Sequence, residues 1–250
     1  MNKVAIVTGA NGGIGLAIAR RLLADGFALG YVTAGDDDRH TGPLGELRKE
    51  YGEERIVWAY GDLTDTAVPE HLVAEVVDKH GRLDVLVNNA GLSTAKPFFE
   101  LTAADFDLTF DVDVRASFLL AQCVAKRMRD QGGGSIINIT SVHEHIPRPN
   151  FALYASAKAA LGMLTRAMAL ELGEHNIRVN AVAPGVIATP RNEADAKALD
   201  PEVPLGRPGT PEEVAGLVAW LCTDDAAYVT GSSYVMDGGM IQQVVTRPAG

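Results

Sequence analysis

The feature that most restricts the fold lies near the start of the chain. A short apolar run, Lys3 to Thr8, passes through Thr8-Gly9-Ala10-Asn11-Gly12-Gly13-Ile14-Gly15 into Leu16 to Ala24, which has helical periodicity. A brief, nearly continuous apolar run is expected of a strand buried on both faces. Strand, glycine turn and helix in that order form a phosphate-binding element. Glycines let the backbone approach a pyrophosphate, and the helix N-terminus supplies free N–H groups and the positive end of its dipole. The glycines at 9, 13 and 15 give a G-x-x-x-G-x-G spacing rather than G-x-G-x-x-G.

The same alternation continues along the chain. Strands are predicted at Phe27 to Thr33, Arg55 to Tyr60, Leu83 to Val87, Ser135 to Ile139, Ile177 to Ala183 and Tyr234 to Met236. Helices are predicted at Leu44 to Tyr51, Pro69 to His80 (capped by Thr64 or Asp65), Asp105 to Gln131, Tyr154 to His175, and Pro211 to Leu221 with Thr210 as N-cap. Strands alternating with helices predict an α/β fold with one doubly wound parallel sheet, in a single domain over residues 1–250. Asn192 to Arg207 is polar and irregular, and is expected to be a mobile lid. The chain is 47% hydrophobic, enough for a core without disulfide or metal staples. Its net charge of −10 argues against nucleic acid or an anionic membrane as partner. Cys123 and Cys222 read as reduced core residues, with no metal-ligand spacing. No apolar run approaches membrane-spanning length, and Met1-Asn2-Lys3 leads straight into a strand without a signal-peptide pattern. The expectation is a cytoplasmic protein.

In parallel α/β sheets, ligands sit beyond the C-terminal ends of the strands. The second strand ends at Thr33-Ala34-Gly35, the position that reads the adenosine ribose of a dinucleotide. Neither an acid for a 2′-hydroxyl nor a base for a 2′-phosphate stands there, and Asp36, Asp37 and Asp38 just beyond read as a solvated acidic turn. Asp62 at the next strand end is placed to meet a cofactor ring, and Asn88-Asn89-Ala90-Gly91 suits close backbone approach. Ser141 ends another strand, thirteen positions before Tyr154. Tyr154 and Lys158, four apart on a helix, share one face. A cation fixed beside a phenol favours the ionised form and suits the phenol to proton exchange. Between Ser141 and Tyr154 runs a polar, proline-bearing loop, Val142 to Phe151, of the kind that carries substrate contacts. His143 and Glu144 are candidates to hydrogen-bond sugar hydroxyls or, equally, to structure the loop. His143 and His145 lack further ligands at metal spacing, so no metal is expected.

Taken together, these residues resemble the short-chain dehydrogenase/reductase family. The likeness spans nearly the whole chain: Thr8-Gly9 through Gly15, Asp62-Leu63, Asn88-Asn89-Ala90-Gly91, Ser141, Tyr154 with Lys158, Arg178-Val179-Asn180, Pro184-Gly185 and Asp237-Gly238-Gly239. The resemblance implies an NAD(P)-dependent oxidoreductase interconverting a secondary alcohol and a ketone or lactone on a sugar, polyol or small carbonyl substrate. It implies Tyr154 as general acid/base, Lys158 beside it holding the nicotinamide ribose, and Ser141 as hydrogen-bond donor to the substrate oxygen. It also places Gly9, Asn11, Ile14, Asp62, Leu63, Asn89, Ala90, Gly91, Pro184, Gly185, Ile187 and Thr189 around the cofactor, and a homotetramer through the long helices. In one respect the chain departs from the pattern: Phe110-Asp111-Val112-Asp113 puts Asp113 where the family has a catalytic asparagine. A retained but retuned site is expected. Within the family, Ser141-Val142-His143-Glu144 and Ile146-Pro147 are most like bacterial glucose 1-dehydrogenases, but Leu92-Ser93-Thr94-Ala95 lacks the acid that those enzymes carry. NADP is slightly favoured over NAD, because no acid closes the second strand, while the Asp36 to Asp38 run pulls the other way by repelling a 2′-phosphate. The alternatives are a 3-oxoacyl carrier-protein reductase and a non-catalytic dinucleotide-sensing protein.

Overall fold

A computed structural model describes residues 2–33, 42–190, 192–199 and 202–242. Seven strands form one sheet: β1 (Val4–Thr8), β2 (Ala28–Thr33), β3 (Ile56–Tyr60), β4 (Val85–Asn88), β5 (Gly134–Ile139), β6 (Ile177–Pro184) and β7 (Ser233–Met236), in spatial order β3-β2-β1-β4-β5-β6-β7. Every neighbouring pair is parallel. This is the doubly wound, Rossmann-type α/β fold.

Alternation along β1 shows why its sequence is apolar throughout. Ala5 and Val7 pack on one face with α1 (Gly13–Ala24), α2 (Gly42–Tyr51) and a helix near the C-terminus, Pro211–Leu221; Val4 and Ile6 pack on the other with α3 (Val68–His80). Successive strand residues point to opposite faces, and both faces are covered.

Strand order reverses between β1 and β4, so their C-terminal ends diverge and leave a crevice. The glycine turn and the Asn89 turn flank it and are tied together. Thr8 Oγ1 accepts from the backbone N–H of both Asn89 and Ala90, and Asn89 Nδ2 donates to the carbonyl oxygens of Thr8 and Gly9.

Four local expectations are corrected. The long helix is interrupted: α4 (Ala103–Phe110) passes through a π-helical turn, Asp111–Arg115, into α5 (Ala116–Gln131). Neither Thr64 nor Asp65 is the N-cap of α3; Ala67 is, and Asp65 instead accepts from the Ala67 N–H. The helix carrying Tyr154, α6 (Ala152–Leu172), starts two residues earlier than predicted. Within 192–207 a short helix forms, α7 (Glu193–Ala198), before α8 (Pro211–Leu221). Thr210 caps α8 as expected, through a capping box with Glu213. Burial pushes the Cys222 thiol up to about 12. No described helix is long and apolar enough to cross a membrane.

Candidate active site

Tyr154 and Lys158 lie in the first two turns of α6. The Lys158 ammonium is buried, 5.6 Å from the centre of the Tyr154 ring, and donates to the carbonyl oxygen of Ile139 at 3.2 Å. Ser141, just past β5, opens the 3₁₀ turn Val142–Glu144, and its Oγ accepts from the His143 N–H at 3.2 Å. With a lone pair so engaged, the hydroxyl proton is left to donate elsewhere. Ser141, Tyr154 and Lys158 line one cavity of about 890 Å³ at the strand ends. Ile14, Asn89, Gly91, Pro184, Gly185, Ile187 and Thr189 line it too.

Asp113 sits in the π-helical turn, wholly buried. Its Oδ1 accepts from the Leu92 N–H at 2.7 Å, and its Oδ2 stands 3.7 Å from Lys158 Nζ without a hydrogen-bond partner. π-turns recur at functional sites because one extra residue in the turn re-aims neighbouring side chains. Gly91 roofs the pair: a Cβ there would lie 3.0 Å from both Asp113 Oδ1 and Lys158 Nζ. Burial holds the Asp113 carboxyl above the ordinary aspartate range, while the Lys158 ammonium and the Leu92 N–H pull it back. A buried polar chain continues beneath. Ser117 Oγ donates to the Asp113 carbonyl, Asn88 donates to the Ser117 carbonyl and to Asn138, and Asn138 donates to Thr165 of α6. These bonds fix β4, β5, α5 and α6 relative to one another around the lysine.

The glycine turn fits a dinucleotide on structural grounds. Among the described residues α1 has no side-chain cap and no acid in its first turn, which leaves its N-terminal N–H groups suited to an anion. Gly15 has no space for a side chain, because a Cβ would collide with the Gly9 carbonyl and the Asn89 amide. Gly15→Ala is therefore expected to lower the melting temperature by several degrees and to weaken NAD(P)H binding about tenfold or more, read by cofactor fluorescence titration. Wild-type affinity in that variant would mean the turn does not set the cofactor site. Gly9 and Gly13 adopt positive φ, and Asn11 is exposed beside them. Ala90 closes the Asn89 turn.

Asp62 uses its carboxylate on its own turn, accepting from the Thr64 N–H, and Leu63 packs against the core. Thr33 ends β2. Ala34 and the Asp36 to Asp38 run lie outside the described residues.

In the loop before α6, His143 lines the cavity and Glu144 does not. The Glu144 side chain is buried against Gly162 of α6 and pairs with His145 Nε2 at 3.1 Å. The cavity wall also uses residues that the sequence did not single out: Leu92, Val186, Asn192, Leu199 and Met240. Asn192 belongs there because it closes the loop after β6, accepting from Thr189 N–H and Oγ1 and donating to the Ile187 carbonyl. Such a closure, three to five residues apart within an irregular stretch, leaves no periodic signal.

Over residues 9–241 the chain matches the family model described as enoyl-(acyl carrier protein) reductase. The chain belongs to the short-chain dehydrogenase/reductase family. It is 44% identical to the oxidoreductase YohF of Escherichia coli K12 over 247 residues, 96% of each chain. Among solved structures, it is similar to an acetoin dehydrogenase from Enterobacter cloacae, at 44% identity, 99% coverage of both chains and a TM-score of 0.89. It is also similar to ElxO with NADP bound, at 30% identity, covering 97% of this chain and all of that one, with a TM-score of 0.91. This short-chain dehydrogenase/reductase is thus an NAD(P)-dependent oxidoreductase acting on CH–OH and C=O groups.

Proposed function

We propose that the enzyme reduces a small ketone, or oxidises the matching secondary alcohol, with Tyr154 as general acid/base, and that it favours NADP. The observation that carries this reading is the buried Lys158 ammonium 5.6 Å from the Tyr154 ring, in one cavity with Ser141. Gly9, Gly13, Gly15 and the first turn of α1 would hold the pyrophosphate, and Tyr154 and Lys158 the nicotinamide ribose. When bound, the nicotinamide supplies or accepts the hydride.

In the reducing direction, the Tyr154 hydroxyl gives its proton to the oxygen that becomes the alcohol. The Ser141 hydroxyl donates a hydrogen bond to the same oxygen and stabilises the charge that develops on it. Lys158, held by the Ile139 carbonyl and Asp113, offsets the negative charge left on the phenolate. Asp113 in turn holds the lysine from the protein side. The apolar wall of Leu92, Val186, Leu199 and Met240 favours a compact, partly apolar substrate, as does the likeness to acetoin dehydrogenase.

NADP is favoured by the lack of an acid at Thr33 and by the likeness to ElxO, solved with NADP. The exposed apolar side chains of Phe118 on α5 and of Met163 and Leu170 on α6 support assembly through those helices into a homotetramer.

The test follows absorbance of reduced nicotinamide with acetoin, 2-butanone and an acetoacetyl thioester, using NADPH and NADH in parallel. Turnover of the small ketones, faster with NADPH, is expected. Turnover of the thioester alone would favour the carrier-protein reductase reading instead, and binding of NADPH with no turnover on any of them would leave a dinucleotide sensor.

A further inference from the structure

Two residues after Ser141, the chain places an imidazole whose hydrogen-bonding direction is fixed. His143 Nδ1 stands 3.1 Å from the carbonyl oxygen of Ile146. A carbonyl only accepts, so the ring proton sits on Nδ1 and Nε2 is left as the acceptor of the neutral ring. Neutrality is favoured independently: burial holds the imidazole below its ordinary range and the Arg148 guanidinium adds to that, against the opposing pull of the Ile146 carbonyl. That contact also sets which edge of the ring faces the Ile146 carbonyl. The ring stacks on Phe151, at 5.5 Å between centroids and 29° between planes, and meets Tyr154 edge-on at 6.1 Å and 77°. Phe151 is itself covered by the Arg148 guanidinium at 5.5 Å.

Within the cavity the polar groups therefore differ in kind. Ser141 and Tyr154 both offer protons to the oxygen being reduced. His143, beside them, offers a lone pair. A second carbonyl, carboxylate or ether on the substrate would face that lone pair with another and be disfavoured, whereas a hydroxyl would donate to it. His143 lines the same cavity as Tyr154 and its ring meets the Tyr154 ring edge-on, so it stands beside the residue that handles the reacting oxygen.

We propose that His143 is a specificity-determining residue that selects substrates carrying a hydroxyl on the carbon beside the reacting carbonyl: small α-hydroxyketones and, in the oxidising direction, vicinal diols. The inference rests on the reading of the site as a ketone reductase.

Acetoin and 2-butanone share a carbon skeleton and differ in that hydroxyl, so the readout is the ratio of their kcat/KM values in wild-type, His143→Gln and His143→Leu enzymes. Any intrinsic difference in carbonyl reactivity is common to the three proteins and cancels between them. Glutamine retains an acceptor, and leucine fills similar volume without one. The acetoin-to-butanone ratio is expected to fall about tenfold in His143→Leu and to stay within about threefold of wild type in His143→Gln. General damage to the packing around Tyr154 lowers both rates together and leaves the ratio unchanged. An unchanged ratio in His143→Leu overturns the inference while the ketone reductase reading stands. Wild-type enzyme that reduces neither ketone overturns both.

Discussion

Tyr154→Phe is expected to lower kcat for ketone reduction by about 10³-fold, within the range of a lost general acid. The substitution is clean because the phenylalanine ring keeps the ring contacts of the tyrosine. Those contacts are with Phe151 at 6.0 Å, with His143, and with the Lys158 ammonium over the ring. Only the hydroxyl is removed, and with it the proton for the product oxygen. Water is a poor substitute in a cavity walled by Leu92, Val186 and Met240. The melting temperature is expected to stay within about two degrees of wild type, since the replacement keeps the packing. A variant that keeps kcat within tenfold of wild type removes Tyr154 from the chemistry.

Substitutions at Asp113 are expected to separate charge from shape. Asp113→Leu leaves the buried Lys158 ammonium without its counter-charge and the Leu92 N–H without its acceptor. Breaking a buried pair from one side costs about 3–5 kcal/mol, which for a chain of this size lowers the melting temperature by roughly 10 °C. Asp113→Asn keeps an acceptor for the Leu92 N–H, and its effect depends on pH. The folded-state value of the Asp113 carboxyl is raised, chiefly by burial, so the folded protein binds the proton more tightly than the unfolded chain. The stability this group contributes is therefore fully present below the unfolded value of ~3.9 and is lost as pH rises through the raised folded value. Asparagine does not titrate. Relative to wild type, the Asn variant should gain stability as pH rises from about 4 towards neutrality. The acid limb of the pH–rate profile should change in the same variant, because the charge beside Lys158 no longer varies. Melting curves that keep a constant gap across that pH range, with superimposable pH–rate profiles, would remove Asp113 from the electrostatics of the site.

Much of this architecture is legible in the sequence because it rests on local periodicity. β1 is apolar at every position from Val4 to Val7 since both its faces are covered, and the glycine turn must follow where Gly15 meets Gly9 and Asn89. The shared face of Tyr154 and Lys158 follows from helical geometry alone. What was not legible depends on partners distant in sequence. Asp105 to Gln131 reads as one helix because its apolar spacing persists, and nothing in that spacing marks the π-helical turn that lets Asp113 meet Leu92 and Lys158. Glu144 follows His143 directly, yet only His143 reaches the cavity; Glu144 turns to the space left by Gly162, eighteen residues further on in α6. Asp62 reads as a ring contact from its strand-end position, and its Oδ1 also accepts from the Thr64 N–H within its own turn. At Asp113 and Glu144 the side chain had two uses compatible with its position, and tertiary packing chose between them.

The most direct test of Tyr154 as the proton donor separates binding from chemistry in one experiment. Wild-type and Tyr154→Phe enzymes are each preloaded with NADPH, whose affinity is read by fluorescence, and mixed with acetoin in a stopped-flow instrument. NADPH affinity within about tenfold of wild type, the loss of one ribose hydrogen bond, together with single-turnover oxidation of the bound cofactor slowed about 10³-fold, is the expected result. Bound NADPH oxidised at the wild-type rate in Tyr154→Phe would contradict it.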